Sequence, residues 1–470
     1  MKKWKILYGV LFFGICLLPF VGMFFVQEGA STENRTLADF PALKTEEGLN
    51  VEWLSEAGDY FQDHFAFRNE LVTANAVLNG KLLGVSTASG VIQGNDNWLY
   101  YKDSLDDYVG SNLMSERALF NVAHTQSLVQ KNLTDRGVKF LFTVAPNKNS
   151  LYDENMPYYY STIITEENNL ARLTPMLEAE GVNYLDLKAA FEAEEEILYH
   201  ERDSHWNNKG AALAADLMMT AVGQEHDSYE LEPYTVRTDY EGDLDKMLYP
   251  NALTLEDEIY YEKVQTFAYV GEIKSTFDPK ITSVNPVKTG SLVMYRDSFG
   301  NALVPFFADA YANAYFSRGV PYQLSDVTTQ AADTVIIERA ERFLPDMAEN
   351  PPVLEASLAL PKGTVEVVSE DGANDVTMRR QGLNFVLTGW IPSESLEWDS
   401  KIYVRFNNEM MYEAFPNSVT VDGTLQDGGF TLYIGTDKLP MAENTVEILV
   451  EKEETLQCIY KNQITEETVQ

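Results

Sequence analysis

The sequence is poor in cysteine and histidine, and it has few basic residues. Its 470 residues include two cysteines, Cys16 and Cys458, five histidines, and 35 lysines and arginines against 72 acidic residues. One cysteine lies in an apolar N-terminal run, so a disulfide framework within one chain is excluded. The formal net charge of −37 repels phosphates, and we therefore exclude nucleic-acid binding.

Common metal-binding motifs are also missing. The sequence has neither a His-Glu-x-x-His motif nor a paired-cysteine motif. The cluster His200, Glu201, Asp203 and His205 offers ligand atoms, but the ligands of a catalytic metal usually come from a wider set of segments. We expect no metal and no cofactor, and we keep a metal site as the alternative for this cluster.

The N-terminus indicates a membrane anchor. After the basic start MKKWK, residues 6–26 carry no charge, which is long enough for a helix across a bilayer. The positive residues before this run orient its N-terminus toward the cytoplasm. A cleaved signal peptide is the alternative, but residues 27–31 offer only a poor small-x-small site. We expect residues 1–30 to be an uncleaved single-pass cell-membrane anchor and the rest to be extracytoplasmic.

Buried strands alternate with helices in the following part of the chain. The apolar runs VKFLFTVAP (138–146), VNYLDL (182–187), SLVMY (291–295) and DTVIIERAERF (333–343) are separated by segments with helical periodicity. This alternation predicts a mostly parallel sheet flanked by helices, an α/β fold. Sites in such sheets form at the carboxyl ends of the strands.

The composition changes at LPDMAENPPV, residues 344–353. We interpret 31–343 as a catalytic domain and 344–355 as a linker. Short alternating runs separated by Gly, Asn, Asp and Pro follow, so 356–470 is predicted to be a small all-β, sandwich-like domain. Residues 225–290 give mixed signals and receive no assignment.

A serine and a histidine have the context of a catalytic pair. Ser298 follows the strand SLVMY and precedes a small-residue segment, and a strand–turn–helix exposes the nucleophile of several hydrolases. The alternative is that Asp297-Ser298 only caps a helix. Asp203 lies two residues before His205, so the carboxylate can orient the imidazole as a base for the serine.

Several segments in order resemble the DHHW family of bacterial SGNH-hydrolase-like proteins related to alginate O-acetylation proteins. The segments are ENRTLADFP (33–41), DYFQDHFAFRNELV (59–72), VIQGNDNWLYY (91–101), APNKNSLY (145–152), RDSHWNNKGA (202–211) and YRDSFGNAL (295–303). The resemblance implies an SGNH-type fold with permuted motif order, in which the serine strand comes late. It also implies Ser298 as nucleophile, His205 as general base and Asp203 as the orienting residue.

One departure from the SGNH pattern concerns the oxyanion hole. The last strand ends in Glu338-Arg339, where the usual pattern has Gly-x-Asn-Asp, so a side-chain donor has to come from elsewhere. Arg339 has the alternative of a surface ion pair, and Trp206 is either a sugar-stacking wall or a packing residue. Asp297 suits a capping role. The candidates for substrate or oxyanion contacts are Arg339, Asn147, Lys148, Trp206 and Asn207.

The resemblance implies an extracytoplasmic O-acetyltransferase acting on a cell-surface polysaccharide. Its acetyl donor would be a multi-spanning membrane-bound O-acyltransferase. A carbohydrate acetylesterase with the same triad is one alternative. A noncatalytic glycan-binding or scaffold component of an exopolysaccharide export complex is the other. The aromatic residues beyond residue 356 make glycan binding by the C-terminal domain a further possibility, with core packing as the ordinary explanation.

Overall fold

The structure is a computed structural model that describes residues 2–23, 25, 37–45, 48–83, 85–160, 162–165, 167–361, 363–439, 443–452 and 455–465. The boundary at residue 30, the weak cleavage site at 27–31 and the first four residues of ENRTLADFP lie outside these ranges. Within them, residues Trp4–Gly22 form a helix with mean hydropathy 2.0, long and apolar enough to cross a membrane. A signal sequence has the same properties.

The helices are α1 (Lys2–Gly22), α2 (Trp53–His64), α3 (Arg68–Leu83), α4 (Leu105–Val109), α5 (Glu116–Asp135), α6 (Asn169–Ala179), α7 (Leu187–Glu192), α8 (Asn208–Ala221), α9 (Asp243–Leu248), α10 (Gly300–Ala310), α11 (Ser325–Thr329) and α12 (Leu344–Glu349). The first strands are β1 (Lys44–Thr45), β2 (Gly48–Leu49), β3 (Val91–Gln93), β4 (Leu99–Tyr101), β5 (Lys139–Ala145), β6 (Tyr184–Leu185), β7 (Tyr234–Tyr240), β8 (Glu256–Tyr261), β9 (Ala268–Tyr269), β10 (Lys280–Val284), β11 (Ser291–Tyr295), β12 (Asn313–Ser317) and β13 (Thr334–Ala340). The later strands are β14 (Val365–Val367), β15 (Asn374–Gln381), β16 (Asn384–Trp390), β17 (Ile402–Phe406), β18 (Met410–Glu413), β19 (Phe415–Val421), β20 (Thr424–Gly435), β21 (Glu443–Lys452) and β22 (Thr455–Thr465).

In the described part of the chain, seven strands form the central sheet in the order β6-β5-β13-β11-β12-β10-β9. The first five are mutually parallel, and β10 and β9 continue the sheet antiparallel. The predicted mostly parallel α/β sheet is therefore confirmed. The predicted buried strand VNYLDL was too long. Only Tyr184–Leu185 pairs, half-buried, because it lies at the edge and bonds to β5 alone.

Both faces of the central sheet are buried, which explains the continuous apolar runs. Along β5, Phe140, Phe142 and Val144 pack into one core, and Leu141 and Ala145 into the other. This is the period-2 alternation of a strand covered on both sides. Helices α5 and α6 contribute to the first core, whereas α8 and α10 contribute to the second.

The family segment at 59–72 braces the chain before α3. The buried Asp63 carboxylate accepts a hydrogen bond from the backbone N–H of Ala38, at 2.8 Å. The His64 Nδ1 atom lies 2.9 Å from the Tyr60 carbonyl oxygen, and Arg68 Nε donates to the Gln62 carbonyl. The Asp63 contact joins α2 to the segment that precedes it, and the Arg68 contact joins the start of α3 to α2.

The C-terminal part is all β, as predicted. One sheet has the order β14-β22-β21-β17-β18 and the other β15-β16-β20-β19, and side chains of both sheets share one apolar core. Helix α5 packs against this part, where Arg117 donates to the Ser400 carbonyl at 2.6 Å. The stretch 344–355, predicted as a linker, contains α12. The exact domain boundaries stay predictions.

Candidate functional site

A rigid turn carries Ser298 at the carboxyl end of β11. The buried Arg296 side chain fixes the chain before it, with Nη2 donating to the carbonyls of Thr276 and Asp278 at 2.9 and 3.0 Å. The Asp297 carboxylate accepts from the backbone N–H groups of Phe299 and Ala340, at 2.9 and 2.7 Å. Asp297 therefore caps the turn before α10, while Ser298 is left partly exposed.

A buried acid supports the same turn. Glu338, at the end of β13, accepts from the backbone N–H of Asp297 at 3.2 Å. Burial and the neighbouring Asp297 carboxylate raise the pKa of Glu338 well above its usual value. Glu338, which stands where the usual SGNH pattern has Gly-x-Asn-Asp, thus supports the turn through this hydrogen bond.

Ser298, His205 and Asp203 are joined by hydrogen bonds. His205 Nε2 lies 2.9 Å from Ser298 Oγ, and His205 Nδ1 lies 2.7 Å from Asp203 Oδ1. The same Asp203 oxygen accepts from the His205 backbone N–H at 2.9 Å. The structure therefore brings together the three residues that were singled out as nucleophile, base and orienting carboxylate, although they lie up to 95 positions apart in the sequence.

The surroundings favour an ionised Asp203 and make the His205 imidazole more basic. Burial opposes charging of the imidazole, but the hydrogen bond and the charge of Asp203, together with Asp243, raise the pKa of His205 above its ordinary value. Burial also opposes ionisation of Asp203, but its hydrogen bonds and the charge of His205 lower the pKa of that carboxyl. An anionic Asp203 that holds His205 by Nδ1 leaves Nε2 as the atom facing the serine.

The end of β7 and the start of α9, in a stretch to which the sequence gave no assignment, complete the site. Tyr240 donates from its hydroxyl to Asp203 Oδ2 at 3.0 Å, and the backbone N–H of Asp243 donates to the same oxygen at 2.7 Å. Sequence reasoning missed both residues. They lie 37 and 40 positions after Asp203, and no motif marks them.

Lys148 holds the loop that carries Asp203. Its buried ammonium donates to the carbonyls of His200, Glu201 and Asp203, at 3.0, 3.0 and 2.6 Å. An ammonium has three donors, so all are used within the protein. Burial lowers the pKa of Lys148 to about 8, despite the carboxylates around it. Lys148 was predicted to contact substrate or oxyanion. In the structure, it instead binds the backbone of the loop that carries Asp203.

Asn147 and Arg339 do not line the cleft that holds Ser298. Asn147 donates from its side chain to Asp107 at 3.0 Å and from its backbone to Glu341. Arg339 pairs with Asp346 and packs over the Phe343 ring. Arg339 thus forms an ion pair, which is the alternative that the sequence offered for it.

Asn207 and Trp206 also have contacts within the protein. The Asn207 side chain accepts from the backbone N–H of Gly210 and caps α8. The Trp206 indole donates to the Phe299 carbonyl at 3.1 Å and is buried against the Phe299 ring. Trp206 thus packs against Phe299, whose ring also contacts the His205 ring, and it lines the cleft beside Ser298.

Ser298 and His205 open into a cleft of about 570 Å³. Two arginines, Arg318 and Arg342, line it, together with the rings of Tyr101, Phe277, Phe299 and Phe343. The Arg342 guanidinium lies 5.3 Å above the Phe299 ring, and within the described residues its buried Nε has no hydrogen-bond partner. Sequence analysis gave Arg342 no role in the site, because it lies just beyond the end of β13, where the alternation of a strand no longer predicts the direction of a side chain.

Three possible metal ligands lie in the site. Donor atoms of Asp203, His205 and Asp243 are within 4.8 Å of one another. The His205 Nδ1 atom is at hydrogen-bond distance from Asp203, the arrangement of an imidazole oriented by a carboxylate. His200 is not one of the three; it pairs with Glu258, at 2.9 Å.

The chain has the α/β fold of an SGNH-hydrolase-like domain, and its serine strand follows the Asp-x-His motif in the sequence. Residues 91–281 match the family model described as "SGNH hydrolase-like domain, acetyltransferase AlgX". The resemblance that the sequence motifs indicate is thereby confirmed over that range. Comparison with curated protein sequences finds no significant match.

Several solved structures are similar to this chain. Bacillus cereus PatB1 has 17% identity and a TM-score of 0.43, covering 54% of this chain and 96% of its own. A DHHW family protein from Eubacterium siraeum has 15% identity and a TM-score of 0.40, covering 54% and 94%. Pseudomonas aeruginosa AlgX has 14% identity and a TM-score of 0.36, covering 74% and 87%.

Proposed function

We propose that this protein is a serine-dependent O-acetyltransferase, anchored to the cell membrane and acting on a cell-surface polysaccharide outside the cytoplasm. The observation that carries the proposal is the hydrogen-bond chain from Ser298 Oγ through His205 to Asp203, which opens into the cleft. The match of residues 91–281 to an acetyltransferase domain supports the acetyl group as the one transferred.

The reaction proceeds by two acyl transfers. His205 Nε2 takes the Ser298 hydroxyl proton while Oγ attacks the acetyl carbonyl carbon, and the tetrahedral intermediate expels the donor's leaving group, which receives that proton. The acetyl-serine is then attacked by a sugar hydroxyl, whose proton goes to the same nitrogen. Collapse of the second intermediate releases the acetylated sugar and restores the serine. Asp203 stabilises the imidazolium in both steps.

Charge on the tetrahedral oxygen needs donors in the cleft. Among the described residues, the backbone N–H of Ser298 donates no hydrogen bond to another backbone group, and we assign it as a donor to the oxyanion. We assign the side-chain donor to Arg342, because it lines the cleft beside Ser298 and its neighbours are aromatic rings. This replaces Arg339 and Asn147 in that role.

The helix Trp4–Gly22 is proposed as the single-pass anchor. It keeps the cleft at the membrane surface, where a multi-spanning membrane-bound O-acyltransferase delivers acetyl groups as the partner. The C-terminal all-β domain, from residue 356, is proposed to bind glycan. Its docking on α5 holds it at a fixed position relative to the sheet that carries Ser298.

The first experiment tests the serine. The detergent-solubilised chain is treated with a fluorophosphonate probe, and the labelled residue is identified by mass spectrometry. We expect labelling at Ser298, its loss in Ser298→Ala and a large decrease in His205→Ala. Ser325→Ala, which changes an exposed serine at the start of α11, is the matched control and keeps wild-type labelling. Absence of labelling at Ser298 in the wild type contradicts the proposal.

The second experiment separates transfer from hydrolysis. A chromogenic acetyl ester serves as donor and a neutral oligosaccharide as acceptor, and acetylated sugar and free acetate are measured together. Acetylated sugar that appears at the expense of acetate supports the transferase. Acetate release that the acceptor does not change supports the acetylesterase, in which water replaces the sugar hydroxyl. Unaltered surface acetylation in cells that carry only Ser298→Ala supports the noncatalytic scaffold.

A further inference from the structure

The segment from Tyr240 to Asp245 makes several hydrogen bonds to the Asp203-Ser204-His205 motif and to Arg202 before it. Tyr240 and the Asp243 backbone both donate to Asp203 Oδ2. The Asp245 backbone N–H donates to the Arg202 carbonyl at 3.2 Å, and the Asp245 carboxylate pairs with the Arg202 guanidinium, buried. The start of α9 is therefore the support on which the loop of Asp203 lies.

The Asp243 side chain reaches further, to the imidazole itself. Its Oδ1 accepts from the Ser204 backbone N–H at 2.8 Å, and its Oδ2 accepts from the Ser204 hydroxyl at 2.6 Å. The same Oδ2 lies 3.7 Å from His205 Nδ1, and Ser204 Oγ lies 3.2 Å from that nitrogen. His205 Nδ1 thus faces two carboxylates, one in direct contact and one beside it across a hydroxyl.

We propose that Asp243 is a positioning residue, a second carboxylate that holds His205 together with Asp203 and stabilises the imidazolium formed when Ser298 loses its proton. The inference rests on the proposed function, because it assigns to Asp243 a part in the chemistry of Ser298 and His205. The Asp203 carboxylate orients the ring by direct contact. Asp243 acts through Ser204 and through its charge.

Electrostatics support this division of roles. A nearby negative charge favours the protonated form of an imidazole, so a carboxylate 3.7 Å from Nδ1 favours a protonated ring. Asp243 contributes to the raised pKa of His205 after Asp203, whereas Arg342 opposes it. Burial and the Asp203 charge raise the pKa of Asp243 itself. The titratable and charged groups that act on this cluster are Asp203, His205, Arg342, Tyr101, Lys148 and Tyr240.

The test is the pH dependence of the reaction of Ser298 with the fluorophosphonate probe, which needs neither the sugar nor the natural donor. In this reaction Ser298 Oγ forms a bond to phosphorus, fluoride leaves and the hydroxyl proton passes to His205. The rate therefore falls at acidic pH as His205 becomes protonated. For Asp243→Asn, which keeps the size of the side chain, we expect the acid limb to shift to lower pH and the plateau rate to fall about tenfold.

Two further variants make the result specific. Asp243→Glu keeps the charge and is expected to leave the acid limb close to that of the wild type, which also covers the case in which Asp243→Asn folds poorly. Glu241→Gln removes a negative charge two positions away, at an exposed carboxylate paired with Lys246, and is expected to change neither the limb nor the plateau. Thermal unfolding of each variant establishes that the compared chains are folded.

Three outcomes overturn the inference. An acid limb that stays in place in Asp243→Asn shows that the charge does not act on His205. An equal shift in Glu241→Gln shows only a general effect of net charge. Loss of labelling after dialysis against a chelator, restored by zinc, assigns Asp203, His205 and Asp243 to a metal site. If the wild type is not labelled at Ser298 at any pH, the proposed function itself fails, which is a different result from labelling that is indifferent to Asp243.

Discussion

The backbone of Gly242 lies against the carbonyl of Arg202 with no space for a side chain between them. A Cβ atom on Gly242 would lie 2.2 Å from that oxygen and 3.1 Å from the Asp203 nitrogen. Both neighbours are backbone atoms, so neither can rotate away. This close backbone contact lies between Tyr240 and Asp243, which both donate hydrogen bonds to Asp203 Oδ2.

Gly242→Ala therefore tests the support of the site. The added methyl group has to push the 240–243 segment away from Asp203, and a displacement of about 1 Å at a catalytic group costs on the order of a hundredfold in rate. We expect a loss of that size in the labelling rate of Ser298, together with a lower thermal midpoint. Gly58→Ala is the control, because nothing lies within 4 Å of its Cβ position in α2 and alanine favours a helix interior. Equal labelling rates in Gly242→Ala and the wild type contradict this prediction.

Arg342 and Arg339 form a matched pair for the oxyanion assignment. Arg342 lines the cleft, whereas Arg339 pairs with Asp346. Loss of one oxyanion donor lowers kcat by about a hundredfold or more, so we expect this effect in Arg342→Ala, with little change in thermal midpoint. Arg339→Ala is expected to lower the thermal midpoint and to keep kcat. Acetate release from a chromogenic ester measures kcat for both variants, and thermal unfolding gives their midpoints. A larger loss of kcat in Arg339→Ala than in Arg342→Ala reverses the assignment.

The sequence predicts those parts of this site that a strand end or a short spacing marks. Ser298 follows a continuous apolar strand, and Asp203 lies two residues before His205, so both were recognisable and the structure joins them. Tyr240 and Asp243 were not recognisable, because Tyr240 ends the exposed strand β7 and Asp243 follows it, in a stretch without clear periodicity. Lys148 lies at the correct edge of the sheet, but only the fold shows that backbone carbonyls take all its donors.

His124 joins α5 to the C-terminal β part. The buried ring lies between Glu180 and Glu413, with nitrogen-to-oxygen distances of 2.7 and 2.9 Å. Burial opposes its charge, but the hydrogen bonds and charges of the two carboxylates raise the pKa of His124. The stabilisation is therefore complete below the pKa of the unfolded chain, about 6.5, and is lost as the pH rises through the higher folded value.

We expect His124→Gln to lower the free energy of unfolding by about 3 kcal/mol at acidic pH, because two carboxylates lose their shared cation. The difference from the wild type should shrink at alkaline pH. Urea unfolding of the detergent-solubilised chain at several pH values measures it. His226→Gln, at a half-buried histidine with a carboxylate oxygen 3.6 Å away, is the control, and a deficit of His124→Gln that is independent of pH contradicts the protonated clamp.

Asp107, in a buried acid pair, predicts a loss of stability with rising pH, the same direction as for His124. It lies in α4 beside Glu341, and burial together with the Glu341 charge raises the pKa of Asp107 to about 8. The unfolded chain releases this proton near pH 4, whereas the folded chain keeps it until about pH 8. Between these values the folded state binds more protons, so its stability falls as the pH rises through the window.

Asp107→Asn cannot ionise and offers an amide where the protonated acid stood. It should therefore remove part of the decline in stability between about pH 4 and pH 8, and above pH 8 it should unfold at a higher urea concentration than the wild type. Asp106→Asn removes the same charge from the exposed neighbour, whose carboxylate accepts from Ser111, and should keep the wild-type dependence. Urea midpoints at intervals of pH give the comparison. A decline in Asp107→Asn as steep as in Asp106→Asn shows that Asp107 is already ionised in the folded chain at neutral pH, and that the network of Asn147 and Asn169 around it stabilises the anion.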